Sequence, residues 1–241
     1  MDEEQKLKWS ARSHHEVAHK TAMLWQLADS AFPAGGLAHS QGLEASMQSG
    51  RVQSTAELKT FLFEMLQLQA ASSLTFLAAA HADPSLSNIL SVDATCEASL
   101  VSNHVAHKAS VAQGKGFLAA AAITYPEYGL KNIKMQLFGS PTFVGHQAVV
   151  VGLVCSVLGL ELKDSKRLFL FMALRGIISA AVRLGICGPL EGQHIQARVT
   201  TEGLEDLVNM DYSTAAARGG AEKVCWSWDW EEDEKREDKG G

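Results

Sequence analysis

Residues 56–82 read AELKTFLFEMLQLQAASSLTFLAAAHA, and this stretch decides the fold class. Leu, Phe and Met recur three and four residues apart, which is the spacing of one face of an α-helix. Ser54 stands three residues before Glu57, a capping-box pattern that predicts where this helix begins. Asp83-Pro84 ends the pattern and starts another, because Pro suits the first turn of a helix.

The rest of the chain extends this helical pattern. A helix that follows a Pro- and Gly-rich turn is predicted to end near Gly50, a natural helix C-cap. Further helices are predicted at residues 15–30, at 93–123 with glycines 114 and 116 as candidate breaks, at 141–160, at 164–184 and in a shorter segment through Val199, with a loop at 124–129. No strand-like alternation is convincing, so we predict an all-α, single-domain helical bundle.

Composition bounds the organisation of the domain and its partners. The 241 residues can bury one sizeable core, and 46% hydrophobic with 7% aromatic residues favours helix packing. We predict a flexible N-terminus at 1–14, a helical domain at 15–200 and a divergent, largely disordered acidic tail at 201–241. From Arg218 the tail is rich in charge and lacks an apolar period. A net charge of −6 gives no basic footprint for nucleic acid.

Cysteine usage and apolar runs indicate the compartment. Cys96, Cys155, Cys187 and Cys225 form no C-x-x-C pair, so disulfides or a zinc knuckle are poorly supported and a reducing cytoplasm is expected.

The N-terminus has no apolar signal region. The longest apolar run, 148–160, is too short to span a membrane, and Arg175 interrupts another. No membrane association is predicted.

Histidines supply the candidate metal ligands. HEVAH at 15–19 fits the H-E-x-x-H zinc-peptidase pattern, which leaves a zinc-dependent hydrolase with ligands His15 and His19 as an alternative. Against it, the motif lies close to a polar N-terminus and a catalytic zinc needs a third ligand. His104 and His107 are spaced to pair on a helix, but with no carboxylate or Cys nearby in sequence they are interpreted as surface residues. His146 is interpreted as a satisfied histidine at the head of an apolar helix.

Catalytic motifs are otherwise missing from the sequence. It contains no nucleophile elbow, phosphate loop or G-x-G-x-x-G fingerprint. No complete catalytic constellation can be assembled, which favours an interaction protein over an enzyme. An unrelated helical adaptor is a further alternative.

Residues 27–45, LADSAFPAGGLAHSQGLEA, break the helical pattern with a Pro, adjacent glycines and a His-Ser-Gln triplet. These residue types predict a tight turn between two helices. The stretch resembles the N-terminal signature D-S-x-x-P-x-G-x-[FL]-x-[HY]-S-x-G-L-E of the urease accessory protein UreF family. Three later blocks are also similar to the family's blocks, in the same order: 108–118 (KASVAQGKGFL), 145–160 (GHQAVVVGLVCSVLGL) and 178–193 (ISAAVRLGICGPLEGQ). The residues of the turn and of the block at 145–160 are most similar to those of plant members.

The resemblance implies an all-helical, dimerising protein without catalytic activity of its own. It implies a scaffold in nickel delivery to apo-urease, with the GTPase UreG and the accessory protein UreD (or UreH) as partners. Nucleotide hydrolysis would be coupled to nickel transfer. No cofactor of its own is implied, because the nickel is handled by the complex and travels mainly on the GTPase.

The resemblance also suggests partner-binding residues. Those in and beside the turn are Ser30, Pro33, Gly35, Gly36, His39, Ser40 and Glu44, and weaker candidates are Ser110, Gln113, Gly114, Arg183 and Gly188. The glycines could instead serve only backbone conformation, and Arg183 could cap a helix C-terminus.

Three features depart from the family pattern. His104 and His107 stand where its N-E-x-x-R-K-A-S segment has Glu and Arg, and Ala148 stands where the later block has Pro. The end, WSWDWEEDEKREDKGG, replaces a tail resembling S-R-L-F-x-S, which helps dock the UreD-type partner.

Overall fold

The computed structural model describes the backbone of residues 3–33, 40–210 and 212, and the side chains of these residues from Glu16 onward. Within these ranges the chain is helical and contains no strand, which confirms the predicted all-α class. A 3-10 turn spans Pro126–Tyr128 and a π-helical turn spans Val199–Gly203. The α-helices are α1 Glu3–Ala28, α2 Leu43–Gln48, α3 Thr55–Ala82, α4 Leu86–Leu100, α5 His104–Thr124, α6 Leu130–Gly139, α7 Gln147–Val157, α8 Leu162–Arg183, α9 Pro189–Arg198 and α10 Leu204–Asn209.

The core is organised around α3, α7 and α8. α7 is apolar on all sides, with every residue from Ala148 to Cys155 buried, as expected of a central helix. It packs against α3 and α5, and α8 packs against both α3 and α7. The face of α3 that enters this core repeats at helical spacing and comprises Leu58, Leu62, Leu66, Ala70, Leu74, Leu77 and Ala80.

Gly152 allows α7 to lie directly on the backbone of α3. A Cβ atom added at Gly152 would stand 2.3 Å from the Leu77 carbonyl oxygen. No side chain fits at that distance, so only glycine permits this approach of the two helices.

The predicted start of α3 is confirmed in detail. The Ser54 hydroxyl accepts a hydrogen bond from the Glu57 N–H at 3.3 Å, and Glu57 Oε2 accepts one from the Ser54 N–H at 3.0 Å. α3 ends at Ala82 and α4 begins at Leu86, so Asp83-Pro84 separates two helices as predicted. α2 ends at Gln48, close to the predicted stop at Gly50.

Other boundaries differ from the prediction. α1 begins at Glu3 instead of residue 15, because Glu, Gln, Lys, Leu and Ala at the N-terminus are good helix formers. The single helix predicted over 93–123 is two helices, divided at 101–103 and not at the glycines. There the Asn103 side chain accepts the Ala106 N–H at 3.1 Å and starts α5. α7 begins at Gln147 instead of Pro141, and α6 occupies 130–139, where no helix is predicted.

The helical structure continues past the predicted boundary at residue 200. α10 buries Leu204, Leu207 and Val208, and Tyr212 is also buried, with its hydroxyl donating to the Leu207 carbonyl at 3.0 Å. These apolar residues are spaced for one helical face, a signal that the surrounding charges obscure. The predicted tail beyond residue 212 lies outside the described residues.

α3 is the one described helix long and apolar enough to cross a membrane by length and composition. Its apolar stripe, however, packs against α7 and α8. A central helix of a helical bundle can have the same length and composition, so we interpret α3 as a core helix.

Candidate functional site

The turn that follows α1 is fixed at its start by three contacts. Arg175 of α8 donates a hydrogen bond to the Ala28 carbonyl at the end of α1. Asp29 Oδ1 accepts the Ala31 N–H at 2.8 Å, which closes a local turn. Phe32 is buried and its ring meets that of Phe117 edge-on, with 5.5 Å between centroids. Burial lowers the pKa of Arg175, and the nearby Asp29 charge partly offsets this.

The exit of the turn is held against the same helix, α8. Gln41 Nε2 donates to the Ala173 carbonyl at 3.3 Å, and Leu43 at the start of α2 is completely buried. Both ends of the turn are therefore attached to the rigid core, which is the arrangement in which loops often carry binding residues.

The described flanks of the turn present polar and small groups to solvent. Ser30, Pro33 and Glu44 are exposed, and Ser40 is half-buried. Glu44 lies in the first turn of α2. Gly35, Gly36 and His39 fall within 34–39, outside the described residues, so their contact role stays a prediction.

The weaker candidates divide between a buried junction and an exposed corner. Gln113 and Gly114 are buried in α5, and a Cβ atom at Gly114 would stand 2.2 Å from the Gly145 carbonyl oxygen. Gly114 thus serves the close approach of α5 to the segment before α7. Arg183 is exposed in the last turn of α8, and Gly188 is exposed at the start of α9, where its N–H donates to Glu191 Oε2 at 3.2 Å.

Asp93 organises the segment that leads into α7. This carboxylate on α4 is completely buried and accepts three backbone N–H groups, from Val144 at 2.6 Å, Gly145 at 2.9 Å and His146 at 2.9 Å. Three donors compensate for burial of the charge. Asp93 is not recognisable from the sequence, because its partners lie 51 to 53 residues further along the chain. The only local sign of this role is that Asp93 falls on the buried face of α4, between Ile89 and Cys96.

Next to this carboxylate, Glu97, His107 and His146 form a polar cluster. Glu97 Oε2 lies 2.7 Å from His107 Nε2 and 2.8 Å from His146 Nε2. The two imidazole rings meet edge-on at 5.4 Å. His146 is completely buried, and Ser110 Oγ lies 3.2 Å from its Nδ1 and accepts the Gln147 N–H at 3.2 Å.

Electrostatics keeps the acid of this cluster ionised. Desolvation acts to raise the pKa of Glu97, but the hydrogen bonds from His146 and His107 outweigh it, and the pKa falls below its ordinary value. An ionised carboxylate only accepts hydrogen bonds, so both Nε2 atoms carry protons here.

The cluster corrects the interpretation of His107. His104 is exposed, as predicted, but His107 is half-buried and bonded to a carboxylate. The break between α4 and α5 folds Glu97 back onto α5, which brings together residues ten positions apart. His146 is a satisfied histidine, as predicted, with Glu97 and Ser110 as partners.

The described part of the HEVAH motif is engaged in surface contacts. Glu16 forms an ion pair with Lys20 at 2.8 Å, which lowers the pKa of Glu16, and His19 Nε2 lies 3.2 Å from the Tyr128 hydroxyl. Among the described side chains, no third metal ligand accompanies His19. The His15 side chain lies outside the described residues.

Cys96, Cys155 and Cys187 are separate, buried free thiols, consistent with the expectation of no disulfide among them. Burial raises the pKa of Cys155 to about 12, and burial together with Asp93 and Glu97 does the same for Cys96. These thiols are therefore poor nucleophiles and metal ligands. Cys225 lies outside the described residues.

Comparison with known proteins decides the family. Residues 52–200 match the family model UreF. The chain belongs to the UreF family. This confirms the predicted family, and the matched residues include the three later blocks, whereas the turn at 27–45 lies before them.

Plant and cyanobacterial relatives agree with this assignment. The chain is 38% identical over 195 residues to urease accessory protein F of Arabidopsis thaliana, covering 79% of this chain and 81% of that one. It is 36% identical over 185 residues to urease accessory protein F of Oryza sativa subsp. indica, covering 76% and 70%. For urease accessory protein UreF of Trichodesmium erythraeum, the identity is 30% over 183 residues, covering 75% and 78%.

Proposed function

We propose that this UreF-family protein is a non-enzymatic scaffold that assembles a cytoplasmic urease-maturation complex. The observation that carries the proposal is the family match over residues 52–200, together with plant relatives named urease accessory protein F. A role in urease maturation follows from the family. The finer proposal is that a homodimer of this chain binds a UreG-type GTPase and a UreD/UreH-type protein and presents them to apo-urease.

Nickel delivery is the step that this assembly would serve. In the proposed complex, GTP hydrolysis by the UreG-type partner is coupled to nickel transfer into apo-urease, and the metal travels mainly on the GTPase. The scaffold then acts by binding and orientation, and needs no cofactor for that task.

The α1–α2 turn is the contact surface that the geometry favours. Its two ends are fixed to α8 through Arg175 and Gln41, while Ser30, Pro33 and Glu44 face solvent. Flanking residues held in place before binding lose little conformational freedom in the complex, which favours affinity.

Co-purification tests the scaffold. The full chain and a version ending at Arg218 are each mixed with the UreG-type and UreD/UreH-type proteins and captured through a tag. We expect the full chain to retain the GTPase in the presence of the UreD-type protein. Failure to retain it under that condition would refute the scaffold. Loss of only the UreD-type protein from the shortened chain would place that contact in the divergent tail.

A charge reversal at the turn tests the proposed surface. We expect Glu44→Arg to weaken capture of the partner complex about tenfold or more, because a larger side chain of opposite charge would enter the interface without a matching partner group. Glu64→Arg is the matched control, since Glu64 is an exposed glutamate in the middle of α3. Equal capture by both variants would remove the turn from the interface.

A further inference from the structure

We propose that Glu97, His107 and His146 form a binding site for one divalent transition-metal ion of the Ni²⁺ or Zn²⁺ class. Their candidate ligand atoms all lie within 4.8 Å of one another, and this is the one such group of three among the described residues. Two imidazole nitrogens and a carboxylate oxygen are a donor set that suits nickel and zinc.

Three separate elements converge to build the site. Glu97 comes from α4, His107 from the first turn of α5, and His146 from the residue that precedes α7. The arrangement therefore depends on the tertiary fold, and not on a helical i, i+4 pair. The packed helices hold the three donors together before any ion binds. Such a preformed site lowers the entropic cost of binding.

The contacts around His146 can support a metal ligand once its tautomer changes. Asp93 fixes the backbone of His146 through its N–H, and Ser110 Oγ lies 3.2 Å from the ring nitrogen that faces away from Glu97. Ligating histidines commonly bond through their other ring nitrogen to a group that sets the tautomer. Ser110 occupies that position here.

Metal binding needs a change of tautomer that Ser110 can accommodate. In the hydrogen-bonded cluster, Nε2–H of His146 donates to Glu97, and Nδ1 accepts from the Ser110 hydroxyl. When Nε2 ligates a cation, the proton resides on Nδ1 and donates to Ser110 Oγ instead. The Oγ atom has two lone pairs, so it can accept this proton as well as the Gln147 N–H.

Solvent reaches the cluster through Glu97 and His107. His146 is buried, while the Glu97 and His107 side chains are 35% and 27% exposed. A tetrahedral ion with bonds of about 2.0–2.2 Å holds its ligand atoms about 3.3 Å apart. The two contacts to Glu97 therefore need to lengthen by about 0.5 Å, a movement that partly exposed side chains permit. The open side leaves a fourth position for water or for a ligand from a partner.

Metal binding by this cluster is a property of the isolated chain and does not rest on the proposed scaffold function. The opposing interpretation is a hydrogen-bonded junction that joins α4, α5 and α7 without any metal. His107→Arg separates the two, because a guanidinium can pair with Glu97 but cannot ligate a cation. Arg is also the residue that the family pattern has at this position.

Calorimetric titration of the metal-stripped full chain with Ni²⁺, and separately with Zn²⁺, tests the site. We expect one saturable equivalent that His107→Arg weakens more than the roughly hundredfold loss typical of outer ligand contacts. Ser110→Ala should weaken it by about 10- to 100-fold. His104→Ala, an exposed histidine on the same helix, and the double variant His15→Ala/His19→Ala should leave this binding unchanged.

Cobalt gives a second measurement if His107→Arg fails to fold. The Co²⁺-loaded wild-type chain should show visible absorption bands of bound cobalt, and Glu97→Gln, which keeps size and shape, should lose them. Absence of saturable binding to the wild type would overturn the site. Binding that survives both His107→Arg and Glu97→Gln would also overturn it, as would binding abolished only by the variant at His15 and His19.

Discussion

At the scale of single residues, Asp93 joins α4 to the segment that leads into α7. Its buried carboxylate accepts three consecutive backbone N–H groups and so determines where His146 lies. The same residue thereby supports the start of α7 and the Glu97–His107–His146 cluster. This role depends on where Asp93 lies in the fold, because an aspartate on an exposed helix face would have no such N–H groups to accept.

Asp93→Asn should destabilise the protein by about 1–3 kcal/mol, because the amide NH₂ cannot accept and leaves a buried N–H without a partner. Urea denaturation followed by circular dichroism measures the change. Asp206→Asn is the control, since Asp206 is exposed in α10, and it should change stability by no more than about 0.5 kcal/mol. Equal stability of the two variants would show that Asp93 does not hold the segment before α7.

The break between α1 and α2 was predictable from single residues, but the buried cluster was not. Pro33 and the glycine pair predict a break through residue chemistry that is local to the sequence, and α1 ends at Ala28 while α2 begins at Leu43. Glu97, His107 and His146 meet only after α4, α5 and α7 have packed. Sequence spacing therefore gave no reason to associate them, and His107 looked like a surface residue.

At the scale of helices, a partly exposed charge network joins α8 to α10, beside the buried apolar contacts of α10. Glu205 on α10 bonds to Arg167 of α8, and its Oε2 lies 3.1 Å from Lys163 Nζ. Arg167 also pairs with Asp164 at 2.8 Å. The bond from Arg167 is the main cause that lowers the pKa of Glu205 to about 2, with Lys163 adding to it.

This network predicts a pH-dependent contribution to stability. The folded-state pKa of Glu205 lies below its unfolded value of about 4.3, so the contribution is present above that value and is lost as the pH falls towards about 2. Since the Glu205 side chain is 39% exposed, the effect at pH 7 should stay under about 1 kcal/mol.

Denaturation of wild type and Glu205→Gln at several pH values tests this prediction. The difference between the two should be greatest near neutral pH and should shrink steadily below about pH 4. A difference that grows on acidification would contradict the assigned direction of the pKa shift.

Helix boundaries show which elements a sequence can specify. The start of α3 was predictable because the capping box of Ser54 and Glu57 is a purely local device. The division of 93–123 at Asn103 was harder to see, because the glycines at 114 and 116 are stronger apparent breaks. The packing of Gly114 against Gly145 explains why α5 continues through that position.

At the scale of the whole molecule, one core supports both the α1–α2 turn and the Glu97–His107–His146 cluster. α8 holds the α1–α2 turn through Arg175 and Ala173, and α7 carries His146 at its head. Both helices pack against α3. The candidate partner surface and the metal cluster are therefore mounted on the same three-helix core, although they use different residues.

The C-terminal limit of this core gives a prediction for the whole chain. A version ending at Arg218 should be as stable as the full chain, because the sequence predicts no folded structure beyond that residue. A version ending at Gly203 lacks Leu204, Leu207, Val208 and Tyr212, all buried. It should lose several kcal/mol, about 1.5–3 kcal/mol for each buried apolar side chain.

Urea denaturation of the full chain and of the two shortened chains tests both predictions. The two shortened chains serve as controls for each other. The slope of the denaturation curve should also fall for the version ending at Gly203, because less surface is buried on folding. Equal midpoints for the full chain and the version ending at Gly203 would mean that α10 covers α8 without stabilising it. A loss on ending at Arg218 would instead show that residues beyond it contribute to the fold, contrary to the predicted boundary of the tail.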